Sequence, residues 1–173
     1  VIAKNLDNWG ADEIFIQSID RSINNYGPDF KLLNSIMDLS LATPLTYGGG
    51  ITSLDNAVEV IKNGFERIVV DSILHSEGNN LEEICYKIGS QAIVGSVPVK
   101  VEENKIYWFD YKNCKLKGDF NNLKNIKNKK MISEIFLIDQ ENEGYQNSFK
   151  RKIYELFPFS NIPLILFGGL TNK

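Results

Sequence analysis

Two glycine clusters follow short apolar runs, in TPLTYGGGIT at 43–52 and IPLILFGGLT at 162–171. Glycine at the end of a parallel strand lets backbone N–H groups approach an anion closely, and the N-terminus of a following helix adds a favourable dipole. Either cluster alone also fits a tight strand-to-helix turn that needs glycine only for its geometry. Their recurrence changes the reading. Pro44 and Pro163, Gly49 and Gly168, and Gly50 and Gly169 each stand 119 residues apart. The anion-binding arrangement is therefore expected twice, with a substrate carrying a phosphate at each end stretched between the two places.

Carboxylates that close apolar runs are candidates for general acid and base work, and Asp20, Asp71 and Asp139 stand in such positions. Asp20 and Asp139 serve equally well as helix caps or turn residues. Asp71 draws more interest because it directly follows Arg67-Ile-Val-Val. His75 lies four residues further on and reads as a surface-loop residue. It is the only histidine in the chain. A multi-histidine metal centre cannot form within the chain, and a Ser/His triad would rest on His75 alone. Cys85 and Cys114 are the only cysteines, with no CxxC spacing, so neither a disulfide scaffold nor a structural zinc site is expected.

The elements that must position these groups follow from periodicity. Short Ile-, Val- and Phe-rich runs at 12–18, 43–47, 67–71, 91–97, 133–138 and 162–166 alternate with helical spacing, the pattern of βα units around a parallel sheet. Leu54, Ala57, Val58 and Ile61 predict a helix capped by Ser53 and closed by Gly64; Leu81, Ile84, Cys85 and Ile88 predict another, opened by Asn80 with Glu83 three residues on and stopped by Gly89. Cys85 is then a core thiol. Further helices are expected near 29–39 and 147–157. The stretch 99–130 departs from the pattern and reads as a hairpin excursion, with Tyr107 to Tyr111 packing within it, followed by a weak helix.

ADEIFIQSID at 11–20 and SEIFLIDQEN at 133–142 extend the internal repeat upstream of the glycines. Four βα units fit within one period, so two copies would make a (βα)8 barrel of roughly 240 residues. The 173 residues are expected to form a single domain, an incomplete barrel running from about the second strand to the seventh. The first and last strands are expected to be lacking.

Composition bounds the partners. Hydrophobic residues at 43% and charged residues at 24% place the chain among globular domains. No apolar run approaches the roughly 18 residues that span a bilayer. With a net charge of −3, binding to nucleic acid or to an anionic membrane by bulk charge is not expected, and the lysine-rich stretch 112–130 reads as a solvated face. A cytoplasmic location is the default.

DEIFIQSID, PLTYGGGITS, GFERIVVDS, GSQAIV and IPLILFGG together resemble the cyclase subunit of imidazole glycerol phosphate synthase, the histidine-biosynthesis barrel, across essentially the whole chain. That resemblance implies a lyase that needs no cofactor and no metal. It would take ammonia from a glutamine amidotransferase subunit and close an imidazole ring on a bisphosphorylated ribotide. It further implies one phosphate site at Gly49, Gly50 and Ser72, a second at Gly168 and Gly169, and substrate contacts at Ser18 and Asp71.

The catalytic pair is not assigned by the resemblance. The family places aspartates at the ends of its first and fifth strands; the first is missing here, and the fifth-strand position is Pro98, which cannot exchange protons. Asp20, Asp71 and Asp139 are the remaining candidates. The alternative is a catalytically degenerate barrel that binds a phosphosugar, or serves as an amidotransferase scaffold in surface-sugar biosynthesis.

Overall fold

The computed structural model describes residues 2–170 apart from 77, 112, 119 and 160. Thr171, the last residue of the second glycine repeat, lies outside them. The elements run α1 (Ile2–Asn8), β1 (Ile14–Gln17), α2 (Ile19–Ile23), α3 (Phe30–Met37), β2 (Leu45–Gly48), α4 (Leu54–Lys62), β3 (Arg67–Val70), α5 (Asn80–Ile88) and β4 (Ile93–Glu102). After these come β5 (Lys105–Asp110), β6 (Lys115–Lys117), α6 (Asn121–Asn128), β7 (Glu134–Asp139), α7 (Lys152–Leu156) and β8 (Leu164–Phe167). Six strands form one parallel sheet in the order β1-β2-β3-β4-β7-β8. This is an open run of a (βα)8 barrel. No helix among the described residues is long and apolar enough to cross a membrane.

Strand alternation sorts the sheet into two faces. Ile14, Leu45, Ile68, Val70, Ile93, Ile135 and Leu137 face the helices and join Leu33, Ala57, Val60 and Ile84 in the larger core. Their neighbours in sequence, Val69, Val94, Phe136 and Ile138, form a second cluster with Phe15 and Ile165 on the inner face. Beneath that apolar layer lies a charged one. Arg67 opens β3 on the same face as Val69, with Nη1 3.1 Å from Glu13 Oε2 and Nη2 2.6 Å from Glu134 Oε2. Ser133 Oγ accepts from the same Nη2 at 2.9 Å, and the Thr46 hydroxyl on β2 donates to Glu13. These bonds tie together the starts of β1, β2, β3 and β7.

Most predicted elements form where periodicity places them. Ser53 caps α4 by accepting from the Asn56 amide at 3.2 Å, and Gly64 takes φ +95° after the helix. At α5 the cap is Asn79 rather than Asn80, which lies inside the helix and donates to the Thr52 carbonyl at 3.3 Å. Cys85 is half-buried, packed against the larger core.

The helix expected over 147–157 shrinks to α7. The Ser148 and Phe149 amides bond the Gly169 carbonyl at 3.0 and 3.4 Å, and the Lys150 amide donates to Asp139 Oδ2 at 2.8 Å. Donors committed to tertiary partners cannot open a helix there. The excursion is a hairpin, as expected. β4 runs on to Glu102 and turns through Glu103 and Asn104, both at positive φ, into antiparallel β5, the geometry a tight two-residue turn requires.

Among the described residues, β1 pairs only with β2, and β8 only with β7. Such edges present unpaired backbone groups to any strand that meets them. The 173-residue chain expressed by itself should therefore associate edge to edge. Size-exclusion chromatography with light scattering is expected to read species larger than one chain, and a cooperatively melting monomer would contradict the open edges.

Candidate functional site

A cavity of about 190 Å³ opens at the C-terminal ends of the parallel strands. Its floor is the inner apolar layer: Phe15, Val69, Phe136 and Ile138. Phe136 packs between Phe15 and Phe167, with ring centroids 5.4 Å apart on each side. The rim carries the polar groups: Ser18 beyond β1, Gly49 beyond β2, Asp71 beyond β3, and Tyr111 and Glu143 from later loops.

The two glycine turns are built alike. Gly49 adopts φ +127°, and a Cβ there would stand 2.4 Å from the Ser18 carbonyl oxygen; Gly168 adopts φ +97°, and its Cβ would stand 2.6 Å from the Asp139 carbonyl oxygen. Ser18 and Asp139 hold matching places in the two repeats, each following a run that contains Phe15 or Phe136. In both halves the chain turns so tightly over the end of the neighbouring strand that no side chain fits. The Gly50 amide donates to Ser22 Oγ at 3.1 Å, and the Gly169 carbonyl accepts from the amides preceding α7. Ser72 opens a one-turn 3-10 helix, Ser72–Leu74, and lines a shallower groove with His75 and Lys117 rather than the central cavity.

The three aspartates part company. Asp20 is exposed in the first turn of α2 and does not line the cavity. Asp139 is wholly buried, and its Oδ2 accepts from Asn142 Nδ2 and the Lys150 amide, each at 2.8 Å. That arrangement holds the turn after β7. Asp71 alone lines the cavity. Burial, reinforced by the charge of Asp110, pushes its carboxyl up to about 7. Pro98 sits buried in β4, after the last residue paired with β3 and before the first paired with β5, where its missing N–H falls beside an unpaired strand edge.

His75 is not a surface-loop residue. The hairpin folds back over it, leaving its side chain 8% exposed. Its ring lies against Trp108, with centroids 4.0 Å apart. Nε2 is 3.9 Å from Asp71 Oδ1, and Nδ1 is 3.5 Å from Lys117 Nζ. Burial, with Lys117 beside it, lowers its pKa to about 4 against the pull of Asp110. Burial also works against ionisation of Asp110, but bonds from Asn113 and Lys117 outweigh it and hold that carboxyl at about 2.

Tyr111 was expected to belong only to hairpin packing. It reaches the cavity instead, and donates its hydroxyl to Glu143 Oε2 at 3.0 Å. Burial and the Glu143 charge push the phenol up, while burial raises Glu143. Tyr111 and Lys117 escape a reading of local pattern because a long excursion places them, and Glu143 comes from the loop after β7. Among the described residues no group of three or more His, Cys, Asp or Glu side chains could hold a metal ion.

The chain matches the family model for histidine biosynthesis proteins over residues 1–173. It is similar to imidazole glycerol phosphate synthase subunit HisF of Campylobacter concisus, at 27% identity over 172 residues covering 97% of this chain and 67% of the relative. The HisF subunit of Dictyoglomus thermophilum is 26% identical over 171 residues, with 97% and 68% covered. That of Sulfolobus acidocaldarius is 29% identical over 173 residues, again with 97% and 68% covered. The chain spans about two thirds of the length of these relatives.

Two outcomes follow from the geometry. Gly49→Ala and Gly168→Ala should each cost about 2–3 kcal/mol of stability in denaturant unfolding, since positive φ and a backbone clash act together. Asp71 should lower stability as pH rises, because its folded pKa of about 7 lies above the ordinary 3.8. The loss begins above about pH 4 and is complete past about pH 7. Asp71→Asn should therefore exceed the parent by on the order of 1–3 kcal/mol at pH 8. Unfolding curves across pH should show that gain vanish towards pH 4.

Proposed function

This chain belongs to the histidine biosynthesis protein family, and from that premise we propose that it is a cyclase-type lyase of the imidazole glycerol phosphate synthase kind. Residues 1–173 form one barrel domain in which β1 and β8 correspond to the second and seventh strands of eight. The substrate is a bisphosphorylated ribotide lying across the mouth. One phosphate is held on the side of Gly49, Gly50 and Ser72, and the other on the side of Gly168 and Gly169. Ser18 and Asp71 contact the substrate between them. Ammonia comes from a glutamine amidotransferase subunit, in the cytoplasm, and no cofactor enters.

The observation that carries this reading is the doubled glycine turn. Two turns of like geometry, each seated on the backbone that ends the neighbouring strand, belong to strands on either side of the same mouth. A bisphosphorylated ligand suits that symmetry. The cavity floor is apolar, which favours stacking of a flat ring between the polar ends.

Pro98 favours a second reading, a barrel that binds a phosphosugar without turning it over. Steady-state cyclisation by the full-length protein, with ammonium salts in place of the amidotransferase, separates the two. Turnover within about tenfold of an ordinary family enzyme, a barrier difference of about 1.4 kcal/mol, is expected. Tight calorimetric binding of the ribotide with turnover at background would establish the second reading instead. Gly50→Val, whose Cβ would meet the Tyr26 carbonyl at 2.3 Å, should weaken binding in either case.

A further inference from the structure

We infer that Asp71 is the proton-transfer group of this mouth, and that His75, itself fixed by Lys117, positions it. The inference rests on the reading of the cavity as a ligand site and names the chemistry that Pro98 cannot supply.

Asp71 ends β3 on the inward parity of Arg67 and Val69, so its side chain enters the cavity. The plain role for such a residue is to cap the turn after the strand. Asp71 does not do so: the 3-10 turn Ser72–Leu74 takes no side-chain cap bond from it. Its Oδ1 is instead buried without a hydrogen-bond partner, and so is Nε2 of His75, one turn later. The two atoms face each other at 3.9 Å. That is too long for a hydrogen bond, and a shift of about 1 Å would close it, as catalytic pairs do when a ligand binds.

The tautomer follows from Lys117. An ammonium group only donates, so at 3.5 Å from Nδ1 it requires that nitrogen to be the acceptor. A neutral imidazole then carries its hydrogen on Nε2, directed at Asp71 Oδ1. Lys117 is anchored in turn by Asp110 Oδ2 at 3.1 Å, and Asp110 accepts from Asn113 Nδ2 at 2.9 Å. The ring cannot swing freely, because Trp108 lies against it. A chain of contacts thus runs from the hairpin through His75 to the mouth.

The charges around the pair suit the task. Asp110 opposes ionisation of Asp71 from the hairpin, and Tyr111, the next residue in the chain, lines the same cavity and donates to Glu143. Lys117 opposes ionisation of His75. At neutral pH the imidazole is uncharged and the carboxyl is poised between its two forms. When Asp71 gives its proton to a basic atom of the ligand, the carboxylate left behind accepts from Nε2–H of His75. It recovers a proton from solvent water at the cavity opening, and no other group changes charge.

The His75 imidazole nitrogens can be read by 15N NMR in histidine-labelled full-length protein, with the spectrum of His75→Gln identifying which signals belong to His75. The expected spectrum at pH 7 is the neutral Nε2–H tautomer, and Lys117→Met should raise the pH at which the ring charges. An Nδ1–H tautomer, or a charged ring at pH 7, overturns the positioning role. In the cyclisation assay Asp71→Asn should lose at least about 100-fold in kcat while ribotide binding stays within a few-fold. The wild-type pH profile should break near 7, and Asp110→Asn should move that break downward. Turnover retained by Asp71→Asn overturns this inference alone; no turnover by the wild type overturns both it and the cyclase reading.

Discussion

The geometry of the mouth depends on a close approach of backbone to backbone that only glycine permits. Gly49 lies over the Ser18 carbonyl, and Gly168 lies over the Asp139 carbonyl, at distances where a Cβ would collide. In each case the loop leaving one strand is pinned to the end of the strand beside it, so the spacing of strand ends is set by main chain rather than by adaptable side chains. Rigid ends are what a ligand site needs, because loops hung from them inherit their precision. The same device in both repeats keeps the two halves of the mouth in a fixed relation.

Below that rim the inner face is layered. Phe15, Val69, Phe136 and Ile138 separate the cavity from the charged group of Arg67, Glu13 and Glu134 at the other end of the strands. Arg67 bridges two part-exposed carboxylates that would otherwise repel each other. Burial has the opposite effect on Asp71, whose carboxyl it pushes up with help from the charge of Asp110. One face of one sheet thus carries an ion-paired cluster at its base and, at its mouth, a carboxyl whose ionisation burial opposes.

Much of this architecture is legible in the sequence. Parallel strands covered on both faces read as short Ile- and Val-rich runs, and Ser53 and Gly64 bound α4 as their types demand. The segment before α7 misleads, because its apolar spacing is helical while its amides are taken by Gly169 and Asp139. The glycine pair at either turn was visible, and so was Asp71. What local pattern could not give is the environment made by the β4–β5–β6 excursion. It buries His75 under Trp108, brings Lys117 to the imidazole and delivers Tyr111 to the cavity. The contacts of His75 with Trp108 and Lys117 span 33 and 42 residues of sequence, and no periodicity encodes them.

One further signal was present in the sequence, and it decides among the aspartates. Asp71 shares the parity of Arg67 and Val69, the inward residues of β3, whereas Asp139 shares that of Ile135 and Leu137, which face the helices. Two carboxylates that look alike at the ends of apolar runs therefore differ in parity: one enters the mouth, and the other is buried holding the turn after β7. Pro98 shares the parity of Val94, on the inward face of β4. The position that would deliver a side chain beside the cavity thus carries a residue with no proton to exchange, while the neighbouring strand end carries a buried carboxyl that faces a histidine at 3.9 Å. Strand parity thus places a proton-bearing side chain at the end of β3, beside a β4 position that carries proline.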